Sequence, residues 1–262
     1  MLKFDLVQTD KHPINRFAKT EKSPIFQSHK SYKNSLGKIR TMKKTIIITL
    51  IFLFTFKAFS QTIKEIDSIS IEFCEYLKTT SNIQNDSIRI NRFYQDKFDV
   101  YLNRFEREKA NKLGSQLFYR TQKNCREFTE LLERLYPPKE SVTRKKEKPN
   151  TNLSDKEILD FWNRDLFKYF ENNGNETIVV IKNNEYKETF TDSTYSKLEY
   201  KQINNYEFEL EFIESNNEIR SSFSLKGDKF IYGIIDKTEN YYLISTKVEN
   251  QDYYELFKLY FD

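Results

Sequence analysis

The sequence predicts an α+β protein: an N-terminal helical hairpin or three-helix unit, followed by an antiparallel β meander that closes into a bent sheet or small barrel. Three observations support this. From Thr62 to Tyr136 apolar residues recur with helical period and almost no Gly or Pro interrupts them. After Leu166 the period falls to two, with turn residues at a spacing of roughly 8 to 12. Between the two regions, Pro137-Pro138 opens a charged stretch almost free of large apolar residues.

Ahead of the helical region stands a segment of a different kind. Met42-Lys43-Lys44 precedes the apolar run Thr45 to Phe56, and small residues follow at Ala58 and Ser60. This is the pattern of a secretory signal peptide with cleavage between Ser60 and Gln61. The run is shorter than the roughly 20 apolar residues of a membrane span. Residues 1–41 then read as an upstream extension from a misassigned start, and 42–60 as the signal. The alternative is a basic cytoplasmic tail before an uncleaved signal anchor, which would tether the chain to the membrane. The expected location is secreted or periplasmic, with membrane contact only through this segment.

Export changes the charge argument. The full chain carries 43 Lys+Arg against 39 Asp+Glu, a net charge of +4. Residues 1–60 hold 12 of the basic and 3 of the acidic residues, so cleavage leaves 31 against 36 and a net charge of −5. The basic excess belongs to the removed part, and nucleic-acid binding is discarded. Both histidines, His12 and His29, leave with it. Without imidazole, Ser-His-Asp and Cys-His catalysis and His-ligated zinc are excluded for the mature chain. No motif calls for a cofactor or a metal.

In the helical domain, 61–136, the first segment aligns Ile63, Ile66, Phe73 and Leu77 on one face. The second aligns Ile90, Tyr94, Phe98, Tyr101 and Phe105, and the third Phe118, Cys125, Phe128, Leu132 and Leu135. Breaks are expected at Thr79 to Asp86, with Asp86 as cap, and near Gly114-Ser115; without the second, the last two helices are continuous. Cys74 and Cys125 lie at the edges of apolar stripes, and an oxidising compartment makes a disulfide their natural state.

Residues 137–152 form a linker in which Arg144-Lys145-Lys146 reads as a solvated spacer. The β domain, 153–262, opens with a short helix: Ser154 and Glu157 make a capping box, and Leu153 is placed to staple onto Ile158. Strands are expected at Leu166 to Phe170, Thr177 to Lys182, Glu185 to Thr191, Tyr195 to Ile203, Glu207 to Ile213, Arg220 to Leu225, Phe230 to Asp236, Tyr241 to Val248 and Tyr254 to Tyr260. Parity fixes one hairpin. A three-residue loop of Asn204, Asn205 and Tyr206 places Tyr200 opposite Leu210 and Lys201 opposite Glu209, keeping apolar residues on one face, with an Asn for a left-handed bulge position.

Glu207, Glu209, Glu211 and Glu214 are the densest carboxylates, yet side chains two apart on a strand point one way, toward solvent and neighbouring Lys197 and Lys201. A carboxylate-dependent hydrolase is the weakest of the readings. Tyr241-Tyr242 and Tyr253-Tyr254 put one ring on either sheet face, so Trp162, Tyr242 and Tyr254 are the candidate ligand-contacting aromatics, with core packing as the plainer account.

The mature layout is similar to small secreted proteins of unknown function common in Bacteroidetes. The residues behind the resemblance are Gln122-Lys123-Asn124-Cys125, Leu166-Phe167-Lys168-Tyr169, Tyr206-Glu207-Phe208-Glu209-Leu210 and Gly227-Asp228. The resemblance implies an envelope location and brings no catalytic residues. The expectation is therefore a non-enzymatic binding module for a small apolar ligand or an envelope protein partner, with an envelope scaffold or immunity-type interaction protein as the alternative.

Overall fold

The computed structural model describes residues 63–137, 143–171, 173–249 and 251–262. The expected extension 1–41, the expected signal 42–60 and the expected cleavage position at Ser60 and Gln61 lie outside the described residues. Helices come first and an antiparallel sheet follows, so the fold is α+β as expected.

Helix α1, Ile63–Thr79, places Glu65 in its first turn and Lys78 in its last, each complementing the helix dipole. It buries Ile66, Phe73, Cys74 and Leu77. Helix α2, Asp86–Phe93, is capped one residue earlier than expected. Asn85 holds the extended conformation a cap needs, and its side chain accepts from the Ile88 amide. Asp86 is the first helical residue and accepts from Arg134 instead. A π-helical turn, Tyr94–Phe98, continues α2 into α3, Asp99–Leu102, and keeps Phe93, Tyr94 and Phe98 all in the core.

No break falls at Gly114-Ser115. Helix α4, Arg107–Asn124, runs through both, and both are buried. Packing against α1 outweighs the ~1 kcal/mol that a glycine costs inside a helix. The breaks lie instead at residues 103–106 and at Cys125, whose extended backbone separates α4 from α5, Arg126–Leu135. That break presents Cys125 to α1. Cys74 and Cys125 form a disulfide across 51 residues, with their Cα atoms 5.4 Å apart.

The linker is no solvated spacer. Thr143–Lys145 forms strand β1, and the Arg144 guanidinium reaches Glu133 of α5 at 2.5 and 2.8 Å and Glu255 of the last strand at 2.9 Å. Two carboxylates with little solvent around them fix the start of the charge run, while Lys145 and Lys146 stay exposed.

Helix α6, Asp155–Trp162, has the full capping box, and Ile158 and Phe161 are buried. It leads into β2, Leu166–Phe170, β3, Glu176–Lys182, β4, Glu185–Thr189, β5, Tyr195–Gln202, and β6, Glu207–Ser215. The expected strand at Arg220 to Leu225 is helix α7, Glu218–Phe223. Asn217 caps it by accepting from the Arg220 amide at 3.1 Å, and Arg220 and Phe223, three apart, share its buried face. The apparent alternation in Arg-Ser-Ser-Phe-Ser-Leu was incidental. Strands β7, Lys229–Lys237, β8, Tyr241–Val248, and β9, Tyr254–Tyr260, complete an up-and-down array.

Each strand pairs with the next, and β9 returns to β2 at Lys168 and Tyr260, so β2 to β9 close into an eight-stranded barrel. Beside β2, strand β1 covers the other part of β9, from Tyr254 to Leu256. The β5–β6 hairpin has the expected register, Tyr200 opposite Leu210 and Lys201 opposite Glu209. Its loop holds no left-handed Asn. The Asn204 side chain accepts from the Tyr206 amide and closes the turn, and the left-handed pair is Asn183-Asn184 between β3 and β4.

Aromatic rings fill the barrel. Phe161 of α6 lies 5.2 Å from Phe167, 5.9 Å from Phe208 and 5.0 Å from Tyr242, and Phe208 stacks on Tyr232 at 5.1 Å. Elsewhere inside the barrel the Tyr169 hydroxyl donates to Glu188, which is fully buried, and burial raises the Glu188 carboxyl above its usual range. The helical unit docks through α4 on α7, with Arg120 donating to the Phe223 carbonyl and to Asp228.

Candidate functional site

The candidate aromatics separate. Tyr242 is a core residue: it is fully buried, and its hydroxyl donates to Asp160 at 2.6 Å. It offers no face to a ligand, because β8 turns this ring inward against Phe161 and Phe261. Tyr254 is half-buried on β9, with the Lys247 ammonium 5.1 Å from its ring. Trp162 is half-buried at the end of α6, packs on Phe161 and Phe208, and donates its indole N–H to the Asn205 carbonyl at 3.0 Å.

That last bond leads to a cleft of about 620 Å³ between the linker and one part of the barrel. Its walls are Lys148, Pro149, Asn150 and Thr151 of the linker and Asn204, Asn205, Tyr206 and Glu207 of the β5–β6 hairpin, over Gly233, Ile234, Ile235 and Ser245 of β7 and β8. The volume falls in the range of about 300 to 1,000 Å³ typical of small-molecule sites.

Local sequence explains each wall. A bulge between Ile234 and Asp236 interrupts the β7–β8 register. There the Ile235 carbonyl accepts from the Asn152 amide at 2.9 Å, which fastens the linker to the barrel. Gly233 leaves room for a hydroxyl: a Cβ there would lie 2.7 Å from Ser245 Oγ. Asn204 orders the hairpin loop, with its amide nitrogen donating to Glu207 at 2.8 Å.

Lys148 and Glu207 pair across the cleft at 2.6 Å. Partial burial works against the Glu207 charge, but the Lys148 ammonium and the Asn204 amide outweigh it and hold the carboxyl below its ordinary range. Glu207 therefore stays ionised at neutral pH and its charge is matched by Lys148.

The rest of the Glu run behaves as strand-surface carboxylate. Lys229 pairs with Glu209 and Glu211, and Lys197 with Glu214. The partner of the first two is Lys229 of β7 rather than Lys201. Among inward carboxylates, Glu188 and Glu255 are at most 3 % exposed, with Tyr169 and Arg144 as respective donors. Neither faces the cleft.

No protein-family model, curated protein or solved structure matches the chain. The site therefore rests on its own geometry. Among the described residues no helix is long and apolar enough to cross a membrane.

Sequence reasoning missed Asn150, Asn204, Asn205, Tyr206, Gly233 and Ser245 as site residues. The available signal was Gly233, a glycine inside an apolar strand pattern, which marks a bulge or a close approach.

Proposed function

We propose that the protein is an exported, non-enzymatic binding module whose ligand site is the cleft between linker and barrel. The single observation behind this reading is the cleft itself, about 620 Å³ with an apolar floor of Pro149 and Ile235 and a rim of amides. The packed rings of the barrel and the Arg144 clasp serve as its rigid support. A small uncharged molecule with an apolar face fits the lining, since the cleft's ammonium and carboxylate neutralise each other.

Export rests on the Met42 to Ser60 pattern and on the Cys74–Cys125 disulfide, which an oxidising compartment maintains. The mature chain acts in the periplasm or outside the cell.

The test is a thermal-shift screen of neutral small molecules, apolar and hydroxylated, against the chain from Gln61 and against Asn150→Phe, which narrows the cleft from its exposed rim. Stabilisation of the parent chain that Asn150→Phe removes is the expected result. A screen in which no compound stabilises the chain, or in which Asn150→Phe responds equally, would overturn the reading.

A further inference from the structure

Resting on the cleft as the ligand site, we infer that its ligand class is a neutral saccharide, held by the Asn150 and Asn205 amides over the Tyr206 ring. Three features of the lining converge on hydroxylated rings.

First, the rim consists of carboxamides. An amide donates and accepts side by side, and so does a pair of adjacent sugar hydroxyls. Asn204 is already committed, donating to Glu207 and accepting from the Tyr206 amide. Among the described residues, the Asn150 and Asn205 side chains bond to no other protein group, and both are exposed on the cleft wall. The committed amide shapes the loop and the two unspent ones face the ligand. At the back of the cleft, the Ser245 hydroxyl is spent inside the protein, donating to the Gly233 carbonyl at 3.5 Å.

Second, the lining presents a ring beside the amides. Tyr206 is half-buried and packs against the core, so its orientation is fixed before a ligand arrives. The C–H face of a pyranose is apolar and suits such a platform, while its hydroxyl edge meets the rim. Pro149 and Ile235 extend the apolar surface.

Third, the cleft's charges are spent. Lys148 is paired with Glu207 at 2.6 Å, so a phosphate, sulfate or carboxylate group approaching that ammonium also meets the Glu207 carboxylate and gains little net attraction. A neutral ligand leaves the pair intact.

The experiment uses the disulfide-bonded chain from Gln61. Its single tryptophan, Trp162, reports through its bond to Asn205. Titrations with gluco-, manno-, galacto- and N-acetylglucosamine oligomers run beside titrations with N-phenyl-1-naphthylamine, a neutral apolar probe. The expected result is saturable binding of at least one oligosaccharide. Asn150→Ala and Asn205→Ala should each weaken it by about tenfold, the loss of a hydrogen-bond pair worth ~1.4 kcal/mol. Circular dichroism would verify that both variants keep the parent fold. Binding of the apolar probe with no oligosaccharide response would overturn the saccharide assignment and leave the cleft reading standing. Failure of both probe classes would overturn both. Saccharide binding that neither alanine variant nor Asn150→Phe alters would place the sugar elsewhere and overturn this inference.

Discussion

The Arg120 guanidinium grips the Asp67 carboxylate through two hydrogen bonds, Nε at 2.8 Å and Nη2 at 2.6 Å, while Arg120 itself is only 1 % exposed. The same side chain bonds Asp228 and the Phe223 carbonyl, so one cation joins α1, α4 and the turn before β7. Helical unit and barrel are held together by a desolvated charge cluster rather than by a flexible tether.

Removing that cation leaves Asp67 and Asp228 without their shared partner. Arg120→Ala should destabilise the chain by about 3 kcal/mol, the scale of a broken buried ion pair. The midpoint of urea unfolding measures it. A shift equivalent to less than ~1 kcal/mol would mean the cluster contributes little to docking.

Lys123 gives the cluster a pH signature. Burial first, and then the neighbouring Arg120 charge, lower its ammonium from 10.5 to about 8, against the opposing pull of Asp228 and Asp67. Between those two values the unfolded chain holds a proton that the folded chain has released, so this group's contribution to stability rises with pH from about 8 toward 10.5. The stability of the parent chain relative to Lys123→Met should therefore increase across that window. Buried tyrosines such as Tyr119, raised to about 12, act oppositely above pH 10 and are common to both proteins. Parallel unfolding curves at pH 7, 8, 9 and 10 check the difference.

The Cys74–Cys125 bond closes a long loop within the helical unit. Replacing both with serine should cost roughly 4 kcal/mol on the chain-entropy account. Unfolding of the parent chain with and without reductant should give a difference of similar size, and the serine variant none.

Arg144→Ala removes the clasp between α5 and β9. Trypsin should then cut near Lys145 to Lys148 several-fold faster than in the parent, with the barrel core still protected. Equal cleavage rates would show that strand pairing alone holds β1.

Much of this architecture was legible because it is local. The Ser154 and Glu157 capping box and the parity of the β5–β6 hairpin follow from residues whose neighbours in space are set by short-range geometry, and the disulfide joins the two cysteines the sequence has. Where distant partners decide, local reading failed. Gly114 stays helical because α4 packs on α1, and Arg144 is ordered by Glu133 and Glu255 rather than by its own neighbours. At 218–223 two periods competed over six residues, and the Asn217 cap decided for helix. The cleft gathers residues near 150, 205, 234 and 245, which no contiguous motif records. Trp162, singled out as an aromatic ring open to a ligand, is not one of the cleft walls and touches them through its bond to the Asn205 carbonyl, whereas Tyr206 was hidden in a hairpin loop.

The central claim is that the cleft takes a ligand, and the most direct measurement follows the Trp162 indole N–H resonance during titration with the neutral panel. The account predicts a saturable shift of that signal, from altered bonding to the Asn205 carbonyl, which Asn150→Phe abolishes. An indole signal unmoved by every compound, or moved equally in Asn150→Phe, would contradict it.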